Sequence, residues 1–123
     1  MPKLTHFEIA ADDIERAVNF YKRVFGWDIE TDEESPEEYW LITPKQDEVE
    51  ITGGIIPRVS RFDSTINSYE VTSIDGFARR IVDSGGKILE EVPITIPGVG
   101  YLHYCEDSEG NVFGIIQYDE RAR

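Results

Sequence analysis

The sequence predicts an α+β fold made of two copies of one β-α-β-β-β module. The stretch THFEIAADDIERAVNFYKRVFGWDIE at 5–30 is matched by NSYEVTSIDGFARRIVDSGGKILE at 67–90, and DEVEITGGII is matched by EGNVFGII. Glu8 and Glu70 are 62 residues apart, and Gly54 and Gly114 are 60 apart. A duplicated unit too small to bury its own apolar face predicts two modules related by pseudo-twofold symmetry. Any functional cavity is then expected between the two copies.

The first module, 4–56, begins with an alternating strand at Leu4–Ala10. Phe7 and Ile9 lie on one face of that strand, and His6 and Glu8 on the other. A helix with 3.6-residue apolar spacing follows, opened by Asp12 or Asp13 and closed by Gly26. Three further strands are predicted at 27–31, 39–43 and 50–56, with turns at Ser35-Pro36 and Pro44–Asp47.

The second module, 66–118, repeats this order in a single domain spanning 1–123. Its strand at 67–72 is followed by a helix opened by Asp75 and closed by Gly85-Gly86. The remaining strands are predicted at 87–91, 100–105 and 111–118. A polar linker, 57–65, joins the modules, and we expect the tail at 119–123 to be frayed.

Composition excludes several partners. The formal net charge is −13, from 25 acidic and 12 basic residues, and it repels nucleic acid and anionic lipid. No apolar run reaches the ~20 residues of a membrane span. We therefore expect an acidic cytoplasmic protein without nucleic-acid or membrane partners. Its single cysteine, Cys105, forms no intrachain disulfide, and we expect it to be buried.

An ordered set of motifs resembles a known superfamily. It comprises His6 on the first strand, DDIERA at 12–17, FY at 20–21, FGW at 25–27 and DSEGNVF at 107–113. These motifs are similar to those of the vicinal oxygen chelate superfamily, which holds glyoxalase I, extradiol dioxygenases and bleomycin-resistance proteins. The resemblance implies paired β-α-β-β-β modules whose sheets curl around a central cleft. In the enzymes that cleft binds a divalent metal, with one ligand on the first and one on the last strand of each module. It also implies a homodimer.

The positions that the resemblance assigns to metal ligands are mostly without donors here. His6 matches the first ligand, and its counterpart is Ser68, or Tyr69 when counted from the helix start. The last-strand positions are Gly54, or its neighbour Gly53, and Gly114. One imidazole does not replace the three or four donors of a catalytic divalent ion. The resemblance is therefore to a branch whose metal site is degenerate, with no cofactor expected.

Glycine at both last-strand positions has two explanations. A ligand or another backbone approaches closely at that point, or the sheet bends there to complete its curl. Both explanations leave the position without a metal donor.

Two chemical roles for the polar face of the first strand remain open. His6 oriented by Glu8 is a candidate general base, against the alternative of a hydrogen-bonded structural histidine. His6, Glu8 and Glu70 are an alternative ligand set for a divalent metal. Without a cation the two glutamates repel each other, unless a positive group neutralises them. The candidates are Arg16, Arg58, Arg61 or a dimer partner.

Aromatic residues and one apolar loop are further candidates for lining or covering the cleft. Trp40 and Tyr101 are expected among the walls of a pocket for a flat or apolar molecule, and Trp27, Tyr39 and Tyr104 are further candidates. The alternation of 100–105 leaves open whether His103 faces the cleft. The apolar stretch Pro93–Gly100 is either a lid or a packed loop.

The favoured function is metal-free binding of a small organic molecule in the cleft. The expected ligand-binding residues are His6, Glu8, Trp40, Gly54, Ser68, Glu70, Tyr101 and Gly114. The alternative is a metal-dependent lyase, isomerase or dioxygenase that uses His6, Glu8 and Glu70, so enzymatic activity is undecided. A third possibility is an interaction domain whose cleft is filled by its own side chains.

Overall fold

The computed structural model describes residues 2–43, 51–60 and 64–123. It confirms the α+β class. The elements are β1 (Lys3–Ala11), α1 (Ile14–Phe25), β2 (Asp28–Thr31), β3 (Trp40–Thr43), β4 (Thr52–Pro57), β5 (Thr65–Glu70), α2 (Ile74–Asp83), β6 (Lys87–Ile88), β7 (Ile94–Ile96), β8 (Gly100–Glu106) and β9 (Val112–Tyr118). The predicted turn at Pro44–Asp47, the start of the predicted strand at Glu50, and Arg61 lie outside the described residues.

The chain divides into two compact units, Thr5–Ile66 and Asn67–Arg123 with the N-terminal residues through Leu4. In the first unit the strand order is β2-β3-β4-β1. β1 and β4 run parallel, with Phe7 opposite Gly53, Glu8 opposite Gly54 and Ile9 opposite Ile55. Parallel strands need a long crossover, which α1 and the β2-β3 hairpin supply.

Helix α1 forms the apolar layer of the first unit. The Asp13 side chain accepts a hydrogen bond from the Arg16 backbone N–H, and Gly26 closes the helix in the left-handed conformation at φ 68°. Ile14 and Val18 are buried. They belong to a core cluster of Ala11, Ile14, Val18, Ile29, Ile42 and Ile55.

The second unit repeats the module with one added strand. Its strand order is β5-β9-β8-β6, and β7 also pairs with β8. Helix α2 begins after Ser73, whose side chain accepts a hydrogen bond from the Gly76 backbone N–H. The prediction that Asp75 opens this helix is therefore wrong by one or two residues, because the serine takes the capping position. The core cluster is Val71, Ile74, Cys105 and Ile115.

Two segments of the second unit are more ordered than predicted. The stretch 93–100 contains β7, in which Ile94 pairs with Leu102, so it is not a simple loop. The tail is not frayed, since Ala122 is fully buried. Its carbonyl accepts a hydrogen bond from the Gly98 N–H at 2.8 Å, and Asp119 N–H donates to the Val99 carbonyl.

The internal register of each unit corrects one predicted correspondence. Ile9 lies opposite Ile55, and Tyr69 lies opposite Ile115. Gly54 and Gly114 therefore do correspond. The counterpart of Glu8, however, is Ser68, which lies opposite Gly114. The predicted pairings of Glu8 with Glu70 and of His6 with Ser68 are wrong by two residues, because the helix cap and the core-facing residues fix the register of the strand.

Candidate functional site

The site is built on the face of β1 that points away from α1. Phe7 and Ile9 pack against the α1 core cluster. Because strand side chains alternate, His6 and Glu8 share the opposite face. Glu8 is buried at 9% exposure, and His6 is half-buried.

Both ring nitrogens of His6 are engaged by hydroxyl groups. Nδ1 lies 2.6 Å from Thr52 Oγ1 on β4, and Nε2 lies 2.6 Å from Tyr39 Oη. The Tyr39 ring is nearly parallel to the imidazole, at an interplanar angle of 14°. The three side chains form a continuous hydrogen-bonded array that holds the imidazole in one orientation.

Two adjacent glycines on β4 are each covered by an aromatic side chain. A Cβ at Gly53 would lie 2.5 Å from Phe7 Cζ on the core face. A Cβ at Gly54 would collide with the Tyr39 phenol on the other face. The close approach that these glycines permit is thus made by side chains of the same unit. Neither the predicted ligand nor another backbone is the group that covers them.

Burial and one carboxylate act on His6 in opposite directions. Burial lowers the pKa of His6 below its ordinary value of 6.5, and the Glu8 carboxylate acts to raise that pKa. Burial has the larger effect. His6 is therefore mainly a neutral imidazole at pH 7, with one nitrogen donating and the other accepting a hydrogen bond.

The side chains around His6 do not fit the metal site of the enzymes. On this face β4 carries Thr52 and Gly54, so it offers no carboxylate beside His6. Tyr39 fills the space over Gly54, where a ligand side chain would project. Across the part of the chain that the structure describes, no group of three or more His, Cys, Asp or Glu side chains is placed to hold a metal ion.

The second unit places a smaller polar residue at the matching position. Ser68 is buried at 5% exposure, and its hydroxyl lies where a Cβ on Gly114 would be. Leu102 also lies against Gly114 on this face. Glu70 is two residues further along β5, with its carboxylate 4.0 Å from Lys3 Nζ.

Two predicted wall residues lie on the core side of their sheets. Trp40 lies opposite Ile55 and packs against the α1 core cluster. Tyr101 packs against the α2 core cluster. Neither shares the face of His6 or Ser68, so the prediction that both line the binding face is wrong. The period-2 alternation left the face undetermined because Tyr39 and Trp40, and likewise Tyr101 and Tyr104, point to opposite faces, so either face could carry an aromatic wall.

His103 faces the α2 core, which answers the question that the sequence left open. It is 4% exposed, lies opposite Ile115, and has Nδ1 2.8 Å from Glu90 Oε1. The same carboxylate accepts from the Tyr104 backbone N–H. Cys105 is fully buried, as predicted, and burial, with a smaller contribution from Glu90, raises the pKa of its thiol to about 12. That thiol is not a nucleophile at neutral pH.

Two candidate neutralising cations are engaged near α1. Arg16 lies 3.9 Å from the Asp13 carboxylate. Arg58 donates to Asp12 at 3.0 Å and to the Ala10 carbonyl at 3.2 Å. These contacts place the Arg16 guanidinium at Asp13 and the Arg58 guanidinium at Asp12.

Sequence reasoning missed the two hydroxyl partners of His6. The sequence predicts Tyr39 only as an aromatic wall residue and predicts no role for Thr52. A signal was present, since Thr52 is two residues before Gly54, and residues two apart on a strand share a face. The parallel register needed to place Thr52 beside His6 is not readable from one sequence.

Comparisons with known proteins agree with this fold. Residues 3–36 match the family model described as bleomycin resistance protein-like N-terminal. A glyoxylase-like domain-containing protein from Didymella fabae is 27% identical, with 92% of this chain and 91% of that protein covered.

Solved structures with the same fold include enzymes and a protein described as hypothetical. The hypothetical protein, from Bacillus halodurans C-125, has a TM-score of 0.73 at 14% identity, covering 99% of this chain and 98% of the other. Methylmalonyl-CoA epimerase from Mycobacterium tuberculosis has a TM-score of 0.68 at 14% identity, covering 94% and 87%. A methylmalonyl-CoA epimerase in complex with methylmalonyl-CoA and NH4+ has a TM-score of 0.71 at 15% identity, covering 99% and 98%.

These matches agree with the resemblance of the module order, and of the motifs of β1 and α1, to the vicinal oxygen chelate superfamily. Its relatives are glyoxalase-like and bleomycin-resistance-like proteins. Neither of the two described helices is long and apolar enough to cross a membrane.

Proposed function

We propose that this protein binds a small organic molecule, without a catalytic metal, on the polar face of β1 that carries His6 and Glu8. Contacts of Gly54, Ser68, Glu70 and Gly114 with the ligand stay predictions from the sequence. Trp40 and Tyr101 are withdrawn from the binding set because they pack in the two cores. By resemblance to the superfamily, we also propose that the protein is a homodimer. Its location in the cytoplasm stays a prediction from the sequence.

The observation that carries this proposal is the hydrogen-bonded state of His6. Its two nitrogens lie 2.6 Å from hydroxyl oxygens, and the neighbouring β4 position is a glycine covered by Tyr39. A metal would have to displace one hydroxyl and would find no carboxylate on β4. With both nitrogens engaged, His6 offers an organic ligand its ring face, and the adjacent Glu8 carboxylate is the polar group that can accept a hydrogen bond from the ligand.

Charge favours a neutral or cationic ligand. One of the structural neighbours is described as a complex with methylmalonyl-CoA, whose phosphates are anionic. This chain has a formal net charge of −13, and the Glu8 carboxylate lies beside His6. Repulsion between like charges opposes a coenzyme A ester here.

A metal-dependent enzyme is the second candidate. It is favoured by the shared face of His6 and Glu8, which brings an imidazole and a carboxylate to one side of β1. In that case the carboxylate and imidazole would be two of the ligands, and Glu70 would be the third.

A thermal-shift screen tests the proposal and separates the two candidates. The full chain is heated with neutral, cationic and anionic small molecules, each with and without EDTA. A ligand at ~100 times its Kd adds about 2.7 kcal/mol to the free energy of unfolding. We expect stabilisation by a neutral or cationic compound, unchanged by EDTA and reduced in Glu8→Gln.

The exposed Glu30 on β2 provides the matched control, because Glu30→Gln makes the same charge change away from His6. If Glu8→Gln and Glu30→Gln reduce the stabilisation by the ligand equally, the proposed site is wrong. Loss of binding in EDTA, restored by a divalent metal, would favour the enzyme instead.

A further inference from the structure

We infer that Tyr39 is an internal substitute for a metal donor: its phenol binds His6 and fills the space over Gly54 that a second ligand side chain on β4 would need. Tyr39 and Gly54 then determine specificity together, because a divalent cation needs both the removal of the Tyr39 ring and a donor side chain at 54. The inference concerns the same histidine as the proposed function but does not depend on which organic molecule binds.

The position of Gly54 supports this inference first. Gly54 lies opposite Glu8 in the parallel β1-β4 pair. Its side chain would project to the same face as His6 and Glu8, since facing residues of paired strands share a face. A carboxylate there would give one unit an imidazole and two carboxylates, which is a suitable set for Mn, Fe or Zn. The Tyr39 ring occupies that volume.

The hydrogen bond to Nε2 supports it second. A phenol hydroxyl is a stronger hydrogen-bond donor than an aliphatic hydroxyl such as that of Thr52. It is therefore the better donor to a neutral imidazole. We assign on this ground the tautomer in which Tyr39 donates to Nε2 and Nδ1–H donates to Thr52, which both contacts permit. The lone pair that a metal would use is held by the phenol proton.

The test measures the affinity of the full chain for zinc and cobalt by titration calorimetry. Four proteins are compared: wild type, Tyr39→Ala/Gly54→Glu, Tyr39→Ala/Gly54→Ala, and Tyr39→Ala/Gly54→Glu with His6→Ala. The alanine pair is the matched control, since it clears the same space without adding a donor. Far-UV circular dichroism establishes that each variant is folded.

We expect Tyr39→Ala/Gly54→Glu to bind the metal at least about 10-fold more tightly than wild type, or about 1.4 kcal/mol. Adding His6→Ala should abolish that gain, and the alanine pair should show none. A wild type that binds as tightly as the glutamate variant through His6 would overturn the inference. So would an alanine pair that binds equally well, or a folded glutamate variant with no gain.

A second measurement covers variants that fail to fold. In Tyr39→Phe the ring remains over Gly54 and only the hydroxyl is removed. We expect the Nε2 nitrogen of His6 to shift in ¹⁵N NMR away from its hydrogen-bonded position, and Nδ1 to change less. Unchanged His6 nitrogens would show that the phenol is not its partner, which would overturn the inference. The thermal-shift screen tests ligand binding by the wild-type protein independently of these metal and NMR measurements.

Discussion

At the scale of single residues, the chemistry of this chain depends on how His6 is held. Its nitrogens are each 2.6 Å from a hydroxyl, and burial keeps its pKa low. The sequence predicted His6 and Glu8 on one face, since alternation along a strand is a strong signal. It did not predict the partners, because Tyr39 reaches His6 from the residue before β3 and Thr52 reaches it from β4.

The Glu8 carboxylate acts on the pKa of His6 and gives the first residue-scale prediction. Glu8→Gln removes a negative charge that raises this pKa, while burial is unchanged. The pKa of His6 should therefore fall further below 6.5. Titration of the His6 ring by NMR measures it, and Glu30→Gln is the matched control. An upward shift would mean that the carboxylate does not act on the imidazole in this way.

The lowered pKa of His6 also predicts a dependence of stability on pH. The unfolded chain binds a proton at 6.5, and the folded chain does so only at a lower pH. Between these two values the unfolded state binds more protons, so the free energy of unfolding falls as the pH drops below 6.5. Denaturant titrations should show a smaller fall in His6→Gln than in wild type. Identical pH profiles would contradict the assigned shift.

Gly54 and Tyr39 should behave as a coupled pair. Gly54→Ala forces the Tyr39 phenol away and breaks its bond to His6, which we expect to cost about 1–3 kcal/mol. In a Tyr39→Ala background the same change should cost much less, because the space is already empty. A double-mutant cycle of unfolding free energies measures the coupling. Additive effects would mean that the ring does not rest on Gly54.

At the scale of elements, α1 depends on a local signal that the sequence carries plainly. Asp13 is its cap, and its side chain accepts from the Arg16 backbone N–H at 3.0 Å. The sequence offered Asp12 or Asp13, and for α2 it indicated Asp75 where Ser73 is the cap. Both helices were predicted from apolar spacing, which averages over many residues. A cap is a single contact and is harder to place.

The α1 cap gives an element-scale prediction. Asp13→Ala removes the acceptor for an exposed backbone N–H and should lower the free energy of unfolding by about 1 kcal/mol. Asp13→Ser keeps an acceptor at the same position and should stay close to wild type. Chemical denaturation compares the three proteins. If the serine variant loses as much as the alanine variant, the charge of Asp13 matters and the cap does not.

Short strands were predicted less well than helices. β7 and the anchored tail were missed because the backbone bonds of Gly98 with Ala122 and of Asp119 with Val99 join segments far apart in sequence. The register of the two modules was missed for a related reason. Two nearby offsets, 60 and 62, both gave matched residues, and only the strand pairing distinguishes them.

At the scale of the whole molecule, the charge of the chain is its most distinctive property. The formal net charge of −13 was read directly from composition. The order of strands and helix within the two modules was also predicted, apart from β7, since a duplicated pattern constrains every element at once.

Net charge predicts a salt effect on the stability of the whole chain. Self-repulsion among 25 acidic residues destabilises the folded chain, and salt screens it over about 10 Å at ~0.1 M. The melting temperature should rise as sodium chloride is added at neutral pH. A fall over the same range would indicate that attractive surface pairs, such as that of Arg58 with Asp12, outweigh the repulsion.

The packing of the Tyr39 ring over Gly54 also constrains which substitutions at these two positions can follow one another in evolution. In an ancestor with a larger side chain at 54, that side chain would occupy the space of the Tyr39 ring. Glycine at 54 would therefore have to come before tyrosine at 39. Once both changes had occurred, a single reversal at 54 would collide with the ring. A return to the earlier residue at 54 therefore requires that Tyr39 be replaced first.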